Sequence, residues 1–150
     1  MWKATLGKSV RSDDEAGDDY SRACAVGGYV GTIEGAGGQI LVIGDLPNDL
    51  MVYRNTESEA ILVKWVGADS DAQILEALDS DRDLPFVPGN IRLELTVPEL
   101  TIFDASCLLD EVGSNRLNLT LSPTIYTADV LNYEPNDRLM LQLIRLRPAN

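Results

Sequence analysis

A chain of 150 residues, of which 45% are hydrophobic and 24% charged, has the length and composition of a single globular domain spanning residues 1–150. This composition excludes global disorder. The formal net charge of −12 at pH 7 argues against direct binding to nucleic acid or to an anionic membrane, and either favours a basic partner or serves solubility alone.

A flexible acidic arm is predicted at residues 1–18. Residues 13–19 contain five carboxylates and almost no apolar side chain. These carboxylates are Asp13, Asp14, Glu15, Asp18 and Asp19. Charge of this density steers a cationic partner, such as the nucleic-acid groove of a nuclease, into contact. The alternative is a solubilising loop without a partner.

Short β-strands are predicted after the arm. Segments rich in β-forming residues are separated by glycine- or proline-containing turns, at residues 22–26, 29–33, 39–43 and 50–53. Cys24 lies in the first of these segments, and Cys107 lies in an apolar stretch further along the chain. Two isolated cysteines favour buried free thiols in a reducing cytoplasm over a disulfide.

The middle of the chain predicts a buried strand followed by the only helix expected in the protein. Both faces of residues 60–66 are mostly apolar, so this strand should be covered on both sides and central to its sheet. Asp69 or Ser70 then suits the N-cap of a helix, and Asp71 places a negative charge in the first turn. An apolar stripe follows at helical spacing, formed by Ile74, Leu75 and Leu78.

Beyond the helix, residues 84–89 are predicted to form a loop and the rest of the chain to be mostly strand. Alternation with polar residues indicates a half-buried strand whose apolar face is formed by Ile91, Leu93, Leu95 and Val97. Further strands are expected at residues 100–103 and 117–121, and in a hairpin of residues 124–133 and 138–146. The predicted fold class is α+β, predominantly antiparallel β, with one short helix between two strand-rich halves.

The chain contains no histidine, and this removes most catalytic arrangements. Ser-His-Asp and Cys-His sites both need imidazole, which is also the commonest metal ligand. Two isolated cysteines cannot complete a structural zinc site, and no glycine-rich phosphate-binding loop is present. Paired carboxylates serve glycosidases, but among 24 Asp and Glu residues no pair stands out. We therefore expect no catalytic residues, no cofactor and no enzymatic activity.

Three aspartates stand directly after the predicted helix. Asp79, Asp81 and Asp83 have the spacing with which an EF-hand calcium loop begins. The match then fails, because Leu84 takes the position that requires glycine and Asn90 takes that of the closing glutamate. No metal site is expected, and these aspartates, with the acids of the arm, are the candidate partner-binding residues.

Four segments of the chain together carry a family resemblance. The most specific is Asp19-Tyr20-x-Arg22-Ala23-Cys24-Ala25-Val26 followed by Tyr29-Val30-Gly31-x-Ile33. The others are Gly37-Gly38-Gln39 through Leu41-Val42-x-Gly44-Asp45-x-Pro47, Trp65 with Ala68-Asp69-Ser70, and Tyr133-x-Pro135-x-Asp137 running into the apolar strand that ends near Arg145-Leu146. In these segments the chain resembles the immunity protein 21 family of bacterial polymorphic toxin systems. The acids Asp13, Asp14 and Glu15 fall outside the resemblance.

The resemblance implies a small cytoplasmic protein that binds a cognate toxin and blocks it by occlusion, without catalysis. The acidity of the chain suits a basic, nuclease-like toxin. Two alternatives remain, a stand-alone structural or accessory binding domain without catalytic activity and, ranked below it, a carboxylate-based hydrolase. A cytoplasmic location is also expected because the N-terminus lacks the apolar core of a signal peptide and no apolar run approaches the roughly 20 residues that span a bilayer.

Overall fold

The computed structural model describes residues 19–35, 38–44, 49–81, 83–103 and 116–149. Within them the chain forms, in order, α1 (Asp19–Cys24), β1 (Val30–Gly35), β2 (Gly38–Ile43), β3 (Leu50–Asn55), β4 (Ala60–Gly67), α2 (Asp71–Ser80), β5 (Val87–Glu94), β6 (Glu99–Phe103), β7 (Arg116–Thr120), β8 (Ile125–Asn136) and β9 (Leu139–Pro148).

A five-stranded antiparallel sheet in the order β3-β4-β9-β8-β5 forms the centre of the fold. The long β8–β9 hairpin lies in the middle, and strands from both sides of α2 in the sequence pair with it. Two smaller antiparallel hairpins, β1–β2 and β6–β7, complete the described strands. The α+β class, predominantly antiparallel with a short helix inserted between strands, is confirmed.

Strand β4 is buried on both faces and lies inside the sheet, as its sequence predicts. On one face Ala60 and Leu62 join the hairpin core, which the β1–β2 and β6–β7 hairpins help to cover. On the other face Val63 joins the helix core, which α2 covers. The hairpin core consists of Ala60, Leu62, Leu93, Leu95, Leu119, Leu121, Tyr126, Ala128, Ile144 and Leu146, and the helix core of Val63, Ile74, Leu78, Tyr133, Leu139, Leu141 and Leu143. Each fully buried leucine or isoleucine contributes roughly 1.5–3 kcal/mol of transfer free energy.

A polar side chain caps the N-terminus of helix α2. The Ser70 hydroxyl accepts a hydrogen bond from the Gln73 amide at 3.3 Å, which confirms the predicted N-cap, and Asp71 lies in the first turn. Ile74 and Leu78 are buried against the sheet, whereas Leu75, predicted to share their stripe, is exposed. With ten residues, the helix buries a stripe only two residues long, formed by Ile74 and Leu78.

A buried lysine ties the first hairpin to the sheet. Lys64 of β4 is only 4% exposed, and its Nζ donates a hydrogen bond to the carbonyl oxygen of Gly44 at 2.7 Å. The amide of Gly44 in turn donates to the carbonyl oxygen of Tyr29, just before β1. The chain leaving β2 is therefore held to the sheet by a charge-assisted hydrogen bond.

Three further local predictions are wrong. Residues 22–26, expected as a strand, fall largely in the six-residue helix α1, where Ala23 is the only buried side chain among residues 20–24. Cys24, expected to be buried, is consequently exposed, while Cys107 lies outside the described residues. Val97, expected on a buried face, is 58% exposed because β5 ends at Glu94.

Strand β5 also begins earlier than predicted, at Val87, inside the segment expected to be a loop. Its pairing with β8 jumps from Val87 to Ile91 through a bulge, which accommodates Pro88 and Gly89. A Cβ atom on Gly89 would overlap the backbone carbonyl oxygen of Ala128 in β8. Glycine is therefore required here for the close approach of the two backbones.

Replacing Gly89 by alanine is expected to lower the free energy of unfolding by roughly 1–3 kcal/mol, because β5 must move away from β8 to admit the methyl group. Urea denaturation monitored by circular dichroism measures the change. The matched control is Gly27→Ala, where the added Cβ meets no atom within 4 Å and the change should stay within about 0.5 kcal/mol. Equal losses of stability in the two variants would contradict the close-approach argument.

Candidate partner-binding groove

A groove lies on the α2 side of the sheet, beyond the C-terminal end of that helix. It has a volume of about 550 Å³. The sheet contributes Ile61 and Arg145, which are cross-strand neighbours on β4 and β9. The remaining lining comes from β3 and the turn after it, from the end of α2 and from the segment that follows: Tyr53, Arg54, Glu59, Leu78, Asp79, Asp81, Asp83, Leu84 and Phe86.

A buried carboxylate beside the groove fixes its floor. Asp129 of β8 is fully buried, and its Oδ1 accepts a hydrogen bond from the Gly89 amide at 2.9 Å. Its Oδ2 accepts from Nη2 and Nε of Arg145 at 2.7 and 3.1 Å, and from Nε of Arg147 at 2.6 Å. Burial alone would raise the pKa of Asp129, but these donors from Gly89, Arg147 and Arg145 hold the pKa below its ordinary value. The carboxylate is therefore ionised at neutral pH and joins β5, β8 and β9.

The guanidinium of Arg145 is held from two directions. Besides its bonds to Asp129, its Cζ lies 4.3 Å from the centre of the Phe86 ring, in a cation–π stack. The Arg145 side chain remains 25% exposed toward the groove. The floor of the groove therefore presents a guanidinium whose position is fixed before any partner arrives.

The aspartates selected from the sequence line one wall. Asp79 accepts a hydrogen bond at 2.8 Å from the hydroxyl of Tyr53, and burial together with this carboxylate raises the pKa of Tyr53. Burial and the neighbouring Asp81 likewise raise the pKa of Tyr133, so both phenols are protonated at neutral pH. Within the described part of the chain, Asp79, Asp81 and Asp83 form no ion pair with lysine or arginine.

Of the candidate residues in and next to the acidic arm, the structure describes only Asp19. Asp13, Asp14, Glu15 and Asp18 lie outside the described residues, and Asp19 is the first residue of α1. In the described ranges no three or more His, Cys, Asp or Glu side chains are placed to hold a metal ion. The structure thus brings together only the three aspartates that follow α2.

The residues of the groove floor are absent from the sequence-based predictions of binding residues. Arg145 and Phe86 are not among the candidate residues, and neither is Asp129, which lies between Ala128 and Val130 in β8. One signal was present, because a charged residue inside a buried strand needs a partner. Once the β8–β9 hairpin is given a register, Asp129 falls directly opposite Arg145.

Comparison with known families places the chain. The family model described as Immunity protein 21 matches residues 2–138. The chain belongs to the Immunity protein 21 family. The predicted family is confirmed, but the match begins at residue 2 and therefore includes Asp13, Asp14 and Glu15, which were expected to fall outside it. Membership implies an immunity protein, a non-catalytic inhibitor with a toxin as its partner. No curated protein and no solved structure matches the chain.

The part of this immunity protein that the structure describes contains no helix long and apolar enough to cross a membrane.

Substituting Asp129 by asparagine is expected to destabilise the immunity protein by about 3–5 kcal/mol at pH 7, because two partly buried guanidinium groups lose their shared counter-ion. Since the folded pKa is lowered, the carboxylate's contribution is complete above the unfolded pKa of about 3.9 and is lost as the pH falls through the folded pKa. The wild-type advantage should therefore shrink at about pH 3.

Urea titrations at pH 7, 5 and 3 on the wild type and Asp129→Asn measure this difference. Glu134→Gln, at an exposed position, is the control and should follow the wild type throughout. A difference between wild type and Asp129→Asn that stays constant from pH 7 to pH 3 would refute the assignment of the effect to the ionised carboxylate.

Proposed function

We propose that this immunity protein neutralises a cognate polymorphic toxin by stoichiometric binding and occlusion in the cytoplasm, and that the toxin is basic and nuclease-like. The observation that carries the proposal is the groove wall formed by Asp79, Asp81 and Asp83, whose carboxylates have no arginine or lysine partner among the described residues. Unpaired carboxylates at the surface attract a cationic surface at little desolvation cost.

The net charge of the chain supports the same partner. At −12, the protein produces a negative field that accelerates encounter with a positive surface and disfavours nucleic acid and anionic membranes. A toxin that binds nucleic acid carries a cationic groove of the kind that such a field selects. The protein then acts by covering that groove, and the binding needs no cofactor and no catalytic step.

The acidic residues of the N-terminal segment belong to the same proposal. Asp13, Asp14, Glu15, Asp18 and Asp19 add five negative charges in a stretch of seven residues. We assign them to long-range attraction alone, and we assign Asp79, Asp81 and Asp83 both to attraction during encounter and to contact in the bound complex. The contribution of the groove aspartates to the association rate should therefore fade with salt, whereas their contribution to slow dissociation should persist, because attraction over more than about 10 Å is screened at 0.1 M salt and close pairs are screened less.

The triple substitution Asp79→Asn, Asp81→Asn and Asp83→Asn is expected to slow association with the toxin at low salt by roughly tenfold, because the groove loses three attracting charges. The partner is the toxin domain encoded beside the immunity gene, inactivated by mutation. Stopped-flow or surface-based kinetics from 20 mM to 500 mM salt measure the association rate, and the difference from wild type should fade as the salt rises.

The charge-matched control replaces three exposed carboxylates outside the groove, by Glu99→Gln, Glu134→Gln and Asp137→Asn. This variant has the same net charge as the groove variant, and its association rate should fall clearly less than that of the groove variant. Equal association rates for the two variants would show that only the overall charge matters.

Co-expression of the immunity protein should rescue the growth of cells that carry the active toxin. Failure to form a complex with the neighbouring gene product would favour the stand-alone accessory domain.

A further inference from the structure

The groove floor carries a hydrogen-bond donor for which the described residues supply no acceptor. Arg145 bonds to Asp129 through Nε and Nη2, and no described residue accepts a hydrogen bond from Nη1. The side chain is 25% exposed and its ring contact with Phe86 fixes its plane. The two N–H groups on Nη1 of Arg145 can therefore donate to a ligand in the groove, which has a volume of about 550 Å³.

An arginine in this state has the features of a binding anchor. Its position is fixed by a fully buried carboxylate and an aromatic ring, so binding costs little further side-chain entropy. Arginine and aromatic residues in partly desolvated pockets dominate the energetics of protein interfaces. The exposed arginine at the groove edge, Arg54, differs, because its side chain is 53% exposed and its Nη1 is paired with Glu59 at 3.2 Å.

The charges around the floor decide what Arg145 binds. Asp79, Asp81 and Asp83 line the same groove, so a carboxylate entering it would be repelled. A neutral acceptor avoids that repulsion, and the commonest one on a protein is the main-chain carbonyl oxygen. Lysine or arginine side chains beside that carbonyl would reach the aspartates.

We propose that the Arg145–Phe86 stack anchors the toxin. In this arrangement Nη1 of Arg145 donates to a main-chain carbonyl oxygen of an extended toxin segment, and cationic side chains of that segment pair with Asp79, Asp81 and Asp83. The inference rests on the proposed function and adds to it the contact site and the kind of segment that fills it. Asp129 acts as a positioning residue, since it touches Arg145 and not the toxin.

Substitution of Arg145 by glutamine separates anchoring from simple charge attraction. The variant is more negative, so attraction alone predicts association with a basic toxin that is unchanged or faster, and no change in dissociation. The anchor predicts dissociation faster by about tenfold or more. Asp129 keeps its bonds from Gly89 and Arg147 in this variant, and a thermal melt checks that the protein is folded.

Two further variants complete the set, each measured against the same inactivated toxin domain encoded beside the gene. Phe86→Leu leaves every hydrogen bond of Asp129 in place, removes the stack and keeps an apolar side chain against the helix core, and it should speed dissociation about threefold to tenfold. Arg138→Gln removes an exposed positive charge outside the groove and should leave dissociation at the wild-type rate. Unchanged dissociation in both Arg145→Gln and Phe86→Leu would overturn the inference.

Hydrogen–deuterium exchange on the complex locates the contact independently. Protection is expected at residues 53–59 and 78–86, on both sides of the groove. A stable complex whose protection lies elsewhere would overturn the anchor and leave the proposed function standing. Failure to form any complex would overturn the proposed function, and the anchor with it.

Discussion

One buried carboxylate holds together the parts of the protein on which the groove depends. Asp129 has no solvent exposure, and it accepts hydrogen bonds from the backbone of β5 and from two arginines of β9. Burying a charge is costly unless nearby groups compensate it, and here one peptide amide and two guanidinium groups do so. The same bonds that satisfy Asp129 place Arg145 at the floor of the groove. Stability of the sheet and shape of the groove therefore depend on one network.

The groove exists because the covering helix is shorter than the strands beneath it. Ten residues of α-helix extend about 15 Å, whereas the twelve residues of β8 extend about 40 Å. The opposite face of the sheet has two hairpins to cover it, but on the α2 side no described element covers the part of the sheet beyond the end of the helix. Polar and charged side chains occupy that part, which keeps it soluble and suits a partner that arrives with the opposite charge.

Much of the fold follows from local patterns in the sequence. The two apolar faces of residues 60–66, the Ser70 cap and the long β8–β9 hairpin can each be predicted from a few neighbouring residues. Helix α1 does not, because residues 22–26 have no clear period and a six-residue helix depends on tertiary contacts. Of the groove, the three aspartates were visible as a cluster. The floor was not, because Gly89, Asp129 and Arg145 meet only through strand pairing over intervals of 16 to 40 residues.

Because Lys64 is buried, its amine is not accessible to reagents in solution. The chain contains only two other lysines, Lys3 and Lys8, both near its N-terminus. Every solvent-facing cationic side chain between β1 and β9 in the described part of the chain is consequently an arginine. Reagents directed at primary amines therefore modify none of the described residues that line the groove, and amine labelling leaves the guanidinium of Arg145 chemically intact.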